Sequence, residues 1–151
     1  MTLSGKILFG EDRIRERVLE MARAIASDTP AGGTISVLVV MDGAFVFASD
    51  LLRALPVPCR IALAPVRSVD RGGDPRSLVL PGEFPVEGSD LLVVEDILDS
   101  GRTLAALRAH LAGLGPSRIR FAVLLDKSAR RAVPFRPDYV GFRVPDVWVV
   151  G

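Results

Sequence analysis

The chain has 151 residues, of which 49% are hydrophobic, and a formal net charge of +1, so we expect one ordinary folded domain over 1–151. The near-neutral charge argues against a nucleic-acid or membrane partner, and no apolar run approaches the ~18 residues of a membrane span. One cysteine and one histidine exclude an intrachain disulfide and a Cys/His zinc cluster, and the charged N-terminus is no signal peptide, which predicts a soluble, cytoplasmic protein.

Segments with helical and strand periodicity alternate along the chain. This alternation predicts an α/β fold with a Rossmann-like parallel sheet flanked by helices. A polar, glycine-rich stretch interrupts it at 67–76 and predicts a mobile loop. The predicted elements are, in chain order, a helix over 11–26, a strand over 34–40, a helix over 45–55, strands over 59–66, 77–80 and 90–96, a helix over 103–114, a strand over 118–126, and two short strands within 139–144 and 147–151.

Three unusual turns follow predicted strands. They are Met41-Asp42-Gly43, the stretch from 95 to 103, and Asp126-Lys127. Ligands of open parallel sheets bind at the carboxyl ends of the strands, which lie at one edge. The sequence therefore predicts one site shared by the three turns.

The stretch VVEDILDSGRTL, 93–104, combines a turn of small residues with the start of a predicted helix. Exposed N–H groups at a helix N-terminus favour an anion, and Gly101 allows the backbone to approach a phosphate closely. The hydroxyls of Ser100 and Thr103 add hydrogen-bond donors. These features predict a phosphate site.

Three carboxylates in the same stretch would repel a lone phosphate. Glu95 and Asp96 end the predicted strand, and Asp99 follows within one turn. They are explained if the ligand also carries ribose hydroxyls or a magnesium ion, so we interpret the stretch as a sugar-phosphate site. The alternative is a plain strand-to-helix turn in which Asp99 or Ser100 is the N-cap.

VVEDILDSGRTL resembles the phosphoribosyl-pyrophosphate (PRPP) motif of the type I phosphoribosyltransferases. Three further segments are similar to the hypoxanthine (hypoxanthine-guanine) branch of that family: VMDGAFVFASDLLRAL to its pyrophosphate loop, LLDKSARR to its purine-contacting lysine segment, and PDYVGFRVPDVWVVG to its base-stacking segment. The resemblance runs in order from about residue 5 to the last residue.

The resemblance implies roles for the residues of the central motif. Glu95 and Asp96 would hold the ribose hydroxyls, directly or through Mg²⁺, and are the candidate metal ligands. Asp99 would be the catalytic acid/base residue at purine N7. The run Ser100-Gly101-Arg102-Thr103 would bind the 5′-phosphate.

It also implies how the purine is bound. Lys127 would donate to the 6-oxo group, Trp148 would stack on the base, and the backbone of Val149 would contact the purine edge. The implied activity is a glycosyltransferase reaction in which PRPP and a 6-oxopurine give a nucleoside monophosphate and pyrophosphate. The family further suggests a homodimer or homotetramer.

The chain departs from the family pattern at three places. The pyrophosphate loop has Asp42-Gly43 where the family has Lys-Gly, and the mobile loop has Arg67-Ser68-Val69 where the family has Ser-Tyr. The printed sequence ends at Gly151, before a family segment with a magnesium-binding aspartate and an arginine. These departures motivate a second hypothesis, a catalytically weak paralogue that serves as a nucleotide-binding sensor or partner-binding subunit. A third is a phosphoribosyltransferase for another base.

Several side chains also have purely structural interpretations. By these, Lys127 is a surface lysine, Trp148 fills the core, Asp42 is a turn residue, Arg130 and Arg131 form a solvated face, His110 is a structural histidine, and Cys59 is packed in the interior.

Overall fold

A computed structural model describes residues 5–41, 43–66, 72–74 and 78–149. Within these ranges, every helix is too short or too polar to cross a membrane. The helices and strands are α1 (Glu11–Ser27), β1 (Ile35–Val40), α2 (Phe45–Ala54), β2 (Cys59–Ala64), β3 (Asp90–Leu98), α3 (Arg102–Ala112), β4 (Arg118–Asp126) and β5 (Tyr139–Arg143).

The five strands form one parallel sheet in the order β2-β1-β3-β4-β5. The predicted α/β fold with a Rossmann-like parallel sheet is confirmed. From β1 the chain first adds β2 on one side and then crosses over to add β3, β4 and β5 on the other side. β1 and β3 are therefore neighbours within the sheet. In this arrangement the carboxyl ends of β1, β3 and β4 form one edge, where the predicted turns lie.

The core has two layers, one on each face of the sheet. On the first face, α1 and α2 pack through side chains such as Ile25 and Leu51 against alternate residues of β1 and β3. On the second face, α3 packs through Leu107 and Leu111 against the other alternate residues and against Phe121 of β4. All six residues of β1 are buried, as expected for a central parallel strand covered on both sides.

A network of paired charges closes the amino-terminal edge of the sheet. The guanidinium of Arg120, in a residue only 3% exposed, donates to both carboxylate oxygens of Asp90 at 3.1 and 2.6 Å. It also donates to the Tyr139 hydroxyl at 2.9 Å and to Thr29 Oγ1 at 3.1 Å. Tyr139 in turn donates to Asp28 Oδ2 at 2.7 Å. The network therefore joins the end of α1 to β3, β4 and β5.

The structure corrects two predicted strands. Residues 78–80 form no strand; Leu78 and Leu80 pack against the second layer of the core, while Val79 points to solvent. Residues 147–149 also form none, and 150–151 lie outside the described residues. At 78–80 the apolar pattern reflects alternating burial without a strand partner, whereas Val147 and Trp148 are both exposed.

The other predicted elements are confirmed, with small shifts at their ends. The strand over 118–126 has the predicted bounds, whereas β3 continues two residues past the predicted end at Asp96 because Ile97 and Leu98 still pair with β4. Cys59, expected in the interior, is half-buried, and its Sγ donates to the Val57 carbonyl oxygen at 3.3 Å.

Candidate functional site

The site lies at the carboxyl-terminal edge of the sheet, where the turns after β1, β3 and β4 come together. The turns after β3 and β4 are tied by a backbone hydrogen bond of 2.9 Å from Lys127 N to the Leu98 carbonyl oxygen. The predicted site residues Asp42, Arg67 and Ser68 lie outside the described residues.

Gly43 brings the turn after β1 against the acidic end of β3. A Cβ atom at residue 43 would lie 2.0 Å from Asp96 Oδ2 and 2.6 Å from Asp96 Cγ. Any side chain at this position would therefore displace the carboxylate of Asp96. Glycine is favoured here because the backbone lies so close to this side chain. Gly43 of the predicted pyrophosphate loop and Asp96, the predicted ribose-binding acid, are therefore in contact.

Glu95 and Asp96 are adjacent acids in a partly buried position. Burial first, and then the side-chain hydrogen bond and negative charge of Asp96, together raise the pKa of the Glu95 carboxyl to about 9, against a lowering by the hydrogen bond from the Asp96 backbone. Glu95 Oε1 accepts from Asp96 N at 3.0 Å, and Asp96 Oδ1 accepts from Ile97 N at 2.8 Å. Two acids crowded in this way favour a shared proton, hydroxyl donors or a cation.

The turn after β3 presents a helix N-terminus, as the sequence predicts. Gly101 has φ +83° and is the N-cap of α3, so its left-handed conformation suits glycine. Ser100 Oγ accepts from Arg102 N at 3.4 Å, and the first turn of the helix contains no acid. The N-cap of α3 is Gly101 rather than Asp99 or Ser100, while the Ser100 hydroxyl accepts from the helix backbone as a capping side chain does.

Asp99 is held by two consecutive arginines. Its Oδ1 lies 3.0 Å from Arg130 Nε, without the angle of a hydrogen bond, and this oxygen is buried while the side chain as a whole stays half-exposed. Its backbone carbonyl oxygen accepts from Arg131 Nη1 at 2.8 Å. Arg130 Nη1 also lies 3.4 Å from Asp146 Oδ1. Arg130 therefore connects the motif to the segment that carries Trp148.

Arg131 is a site residue that the sequence analysis missed. Its side chain, 16% exposed, pairs with Asp126 and supports the turn from behind, where a Cβ on Gly101 would lie 2.9 Å from Arg131 Cδ. The interpretation of Arg131 as part of a solvated face is wrong, whereas Arg130 is exposed as expected and pairs at the surface with Asp99 and Asp146. In the sequence, the opposite charges of Asp126 and Arg131, five residues apart, were the one indication that Arg131 is paired.

Lys127 and Trp148 have opposite environments. Lys127 is 5% exposed although it follows a strand end, and its ammonium has no partner among the described residues. Trp148 is 86% exposed, and Val149 beside it is half-buried. The interpretations of Lys127 as a surface lysine and of Trp148 as core filling are both wrong. A buried cation and an uncovered indole ring suit a polar aromatic ligand.

Glu95 and Asp96 could hold a magnesium ion only if a bound substrate supplied further oxygen ligands. Among the described residues, no three His, Cys, Asp or Glu side chains are grouped so that they could hold a metal. Mg²⁺ is commonly bound by one or two carboxylates together with substrate phosphates, and Glu95 and Asp96 provide such a pair.

Comparison with known proteins shows which family the chain resembles. The family model described as "Phosphoribosyl transferase domain" matches residues 11–151. The chain is 36% identical to the hypoxanthine-guanine phosphoribosyltransferase of Aquifex aeolicus over 97% of its own length and 84% of the relative's. It superposes with a TM-score of 0.87 on a variant hypoxanthine phosphoribosyltransferase of Trypanosoma cruzi complexed with the product IMP, at 35% identity and covering 99% of this chain and 82% of that one. A ternary substrates complex of the same enzyme gives a TM-score of 0.86 at 36% identity, over 97% and 84%.

Proposed function

The chain belongs to the phosphoribosyltransferase family, and we propose that it transfers the 5-phosphoribosyl group of PRPP to hypoxanthine or guanine. The products are a purine nucleoside monophosphate and pyrophosphate. One observation carries this proposal: the 2.9 Å bond from Lys127 N to the Leu98 carbonyl oxygen, which holds a buried lysine beside the Asp99–Thr103 turn. A base site and a phosphate site are thereby adjacent.

The phosphoribosyl group binds at the turn before α3. The backbone N–H groups of Arg102 and Thr103, with the hydroxyl of Ser100, surround the 5′-phosphate, and Gly101 supplies the left-handed conformation of the turn. Glu95 and Asp96 accept hydrogen bonds from the ribose diol. A ligand that supplies hydroxyl donors here relieves the crowding of the two acids.

Asp99 is the acid/base residue at purine N7. Because Arg130 covers Oδ1, the other carboxylate oxygen is the one that a bound base reaches. Arg131, which donates to the Asp99 carbonyl oxygen, fixes the backbone from which this carboxylate projects. Proton transfer at N7 accompanies formation of the C–N bond, so the orientation of this oxygen affects the rate.

The purine binds between Lys127, Trp148 and the backbone of Val149. The Lys127 ammonium donates hydrogen bonds and cannot accept one, so it selects a 6-oxo group and rejects the 6-amino group of adenine. The exposed face of Trp148 stacks on the ring. A site with a buried cation loses much affinity when the ligand leaves it unpaired.

Mg²⁺ is the proposed cofactor, held by Glu95 and Asp96 together with the substrate. When bound, it neutralises charge on the pyrophosphate leaving group. Asp42 and Gly43 form the proposed pyrophosphate loop, and Arg67 and Ser68 the proposed mobile loop that excludes water from the oxocarbenium-like transition state.

We further propose that the chain forms a homodimer or homotetramer and works in the cytoplasm, where its charged substrates are retained. Exposed apolar side chains support the assembly. Ile61 and Leu63 project from the edge strand β2, and Phe45 and Val46 lie uncovered at the start of α2. Such a concentration of apolar surface is typical of protein contacts. Leu63→Glu should reduce the mass measured by light scattering, whereas Val79→Glu, at an exposed site elsewhere, should leave it unchanged.

The decisive experiment is an assay of hypoxanthine, guanine, xanthine and adenine with PRPP and Mg²⁺. Turnover of the 6-oxopurines, with adenine used far less, supports the proposal. Tight binding of IMP without turnover of any base would instead favour the sensor hypothesis, and preference for adenine would favour a different base specificity.

A further inference from the structure

A cavity of about 670 Å³ opens beside the proposed nucleotide site and is lined by four arginines. They are Arg108 of α3, Arg131 and Arg136 of the segment after β4, and Arg143 of β5. Among the residues that the structure describes, none of those proposed to bind PRPP, magnesium or purine lines it. The cavity is therefore separate from the proposed substrate contacts, and its volume is that of an ordinary small-molecule site.

The positive charge of this cavity is largely uncompensated. Asp126 is the one acid among its lining residues, and Arg131 already pairs with it. Within the described ranges, Arg108, Arg136 and Arg143 form no ion pair. Arginines placed around a concavity without carboxylate partners are suited to bidentate binding of phosphate.

One of these arginines is held rigidly in place. The Arg108 guanidinium lies between two rings, 4.7 Å from the centroid of Phe121 and 4.5 Å from that of Phe135. Its Nη2 donates to the Arg136 carbonyl oxygen at 3.2 Å, and its Nε is buried without a hydrogen-bond partner. Ordering of a long cationic side chain before binding reduces the entropy lost when an anion arrives.

The cavity also has apolar lining residues. Pro134, Phe135, Pro137 and Val140 line it. A bare phosphate would leave this surface unused, whereas a ligand that joins phosphates to a flat ring would contact both kinds of lining residue. The chemistry of the cavity thus points to a phosphorylated nucleoside or a molecule built on the same plan.

We propose that this cavity is a second anion-binding site, which takes a small phosphorylated ligand with a ring system and which can be filled while the nucleotide site is occupied. Arg136 and Arg143 bind the phosphates, Arg108 adds a fixed positive charge, and Phe135 with its apolar neighbours contacts the ring.

The test is calorimetric titration of the protein with ATP, both alone and with saturating IMP. ATP is a suitable probe because its 6-amino purine is a poor ligand for the base site proposed around Lys127. We expect one ATP per chain in both conditions, with affinity falling as salt rises. In Arg136→Gln/Arg143→Gln the affinity should fall about tenfold or more, because two charge-assisted contacts are lost.

The matched control is Arg23→Gln/Arg53→Gln, which removes the same charge from exposed helix positions and should bind ATP like the wild type. Arg136→Lys/Arg143→Lys keeps the charges but loses the bidentate geometry, so its affinity should lie between those of the wild type and the glutamine variant. Displacement of ATP by IMP, or equal ATP affinity in the glutamine variant and its control, would overturn the proposal. An assay of phosphoribosyl transfer by the wild type tests the proposed function separately. If the wild type binds ATP through these arginines but turns over no base, the proposed function alone is rejected.

Discussion

The two edges of the sheet differ in how completely their charged side chains are paired. At the amino-terminal edge, Arg118 and Arg120 both pair with Asp90, and Tyr139 completes the network with Asp28. At the carboxyl-terminal edge, Glu95 and Asp96 are crowded together, and the Lys127 ammonium lacks a partner among the described residues. Paired charge serves the fold, whereas crowded or unpaired charge marks a place where a ligand supplies the missing partner.

This difference implies that substitutions at the two edges affect different measurements. Removal of one member of a buried ion pair at the amino-terminal edge leaves the other charge buried and without its partner. Such a substitution therefore lowers the free energy of unfolding. Loss of a side chain at the carboxyl-terminal edge removes a contact that is made only with the ligand bound, so it lowers turnover or affinity.

The largest effect is expected for Asp99→Asn. The amide keeps the size of the carboxylate but cannot take a proton, so turnover should fall by about 10² to 10⁴. Affinity for IMP should stay within a small factor. The matched control is Asp146→Asn, which removes the other acid paired with Arg130 and should retain far more activity. If steady-state turnover of Asp99→Asn equals that of the wild type, the catalytic assignment is wrong.

Arg120→Met tests the opposite edge. Removal of a buried arginine that pairs with Asp90 should lower the free energy of unfolding by about 3–5 kcal/mol, with the lower end favoured because Arg118 still pairs with the acid. The exposed pair Arg53–Asp50 provides the control, since Arg53→Met should cost less than about 1 kcal/mol. Urea denaturation measures both. Equal decreases in the free energy of unfolding of the two variants would show that the buried network stabilises the fold no more than an exposed ion pair does.

Lys127→Ala should change the choice of base. Hydrogen bonds to charged groups contribute about 1.5–3 kcal/mol, so the ratio of kcat/KM for hypoxanthine over adenine should fall roughly 10- to 150-fold. Lys6→Ala removes the only other lysine, at an exposed position, and should leave the ratio unchanged. An unaltered ratio in Lys127→Ala would remove this residue from the base site.

Trp148→Ala should have the smallest effect of the four. Stacking of a base on an aromatic side chain contributes about 1–3 kcal/mol, and the high exposure of this ring favours the low end, or roughly a fivefold rise in the Kd of IMP. Trp148→Phe keeps an aromatic face and should lie closer to the wild type. Stability should change little in either variant. IMP binding that is equally tight in all three proteins would argue against stacking.

The periodicity of hydrophobic residues predicted most of the helices and strands, because the hydrophobic positions are the ones that are buried in the core. The strand over 118–126 has the predicted bounds, and it contains the buried run Arg120 to Val123 that its apolar centre predicts. The same reasoning failed at 78–80, where Leu78 and Leu80 are apolar because they cover the core from a loop. Hydropathy reports which side chains face the interior and does not report whether a neighbouring strand offers hydrogen bonds.

For the candidate site, the sequence indicated which residues to consider but could not give their surroundings. The small-residue turn at 100–103 and the acids before it were recognisable from residue types alone. The role of Arg131 depends on Asp126 and on the tight packing of Gly101, which are set by tertiary structure. The contact between Gly43 and Asp96 joins residues more than fifty positions apart, and no local pattern indicates it.

The positions of Trp148 and Tyr139 give the protein two natural optical reporters. The chain has a single tryptophan and a single tyrosine. The indole lies exposed in the base-stacking segment, so its emission responds to whatever covers it there. The phenol is buried at the other edge, within reach of Arg120 and Asp28, and its absorbance changes when that edge opens. Ligand occupancy and unfolding can thus be followed in one unlabelled sample, each at its own wavelength.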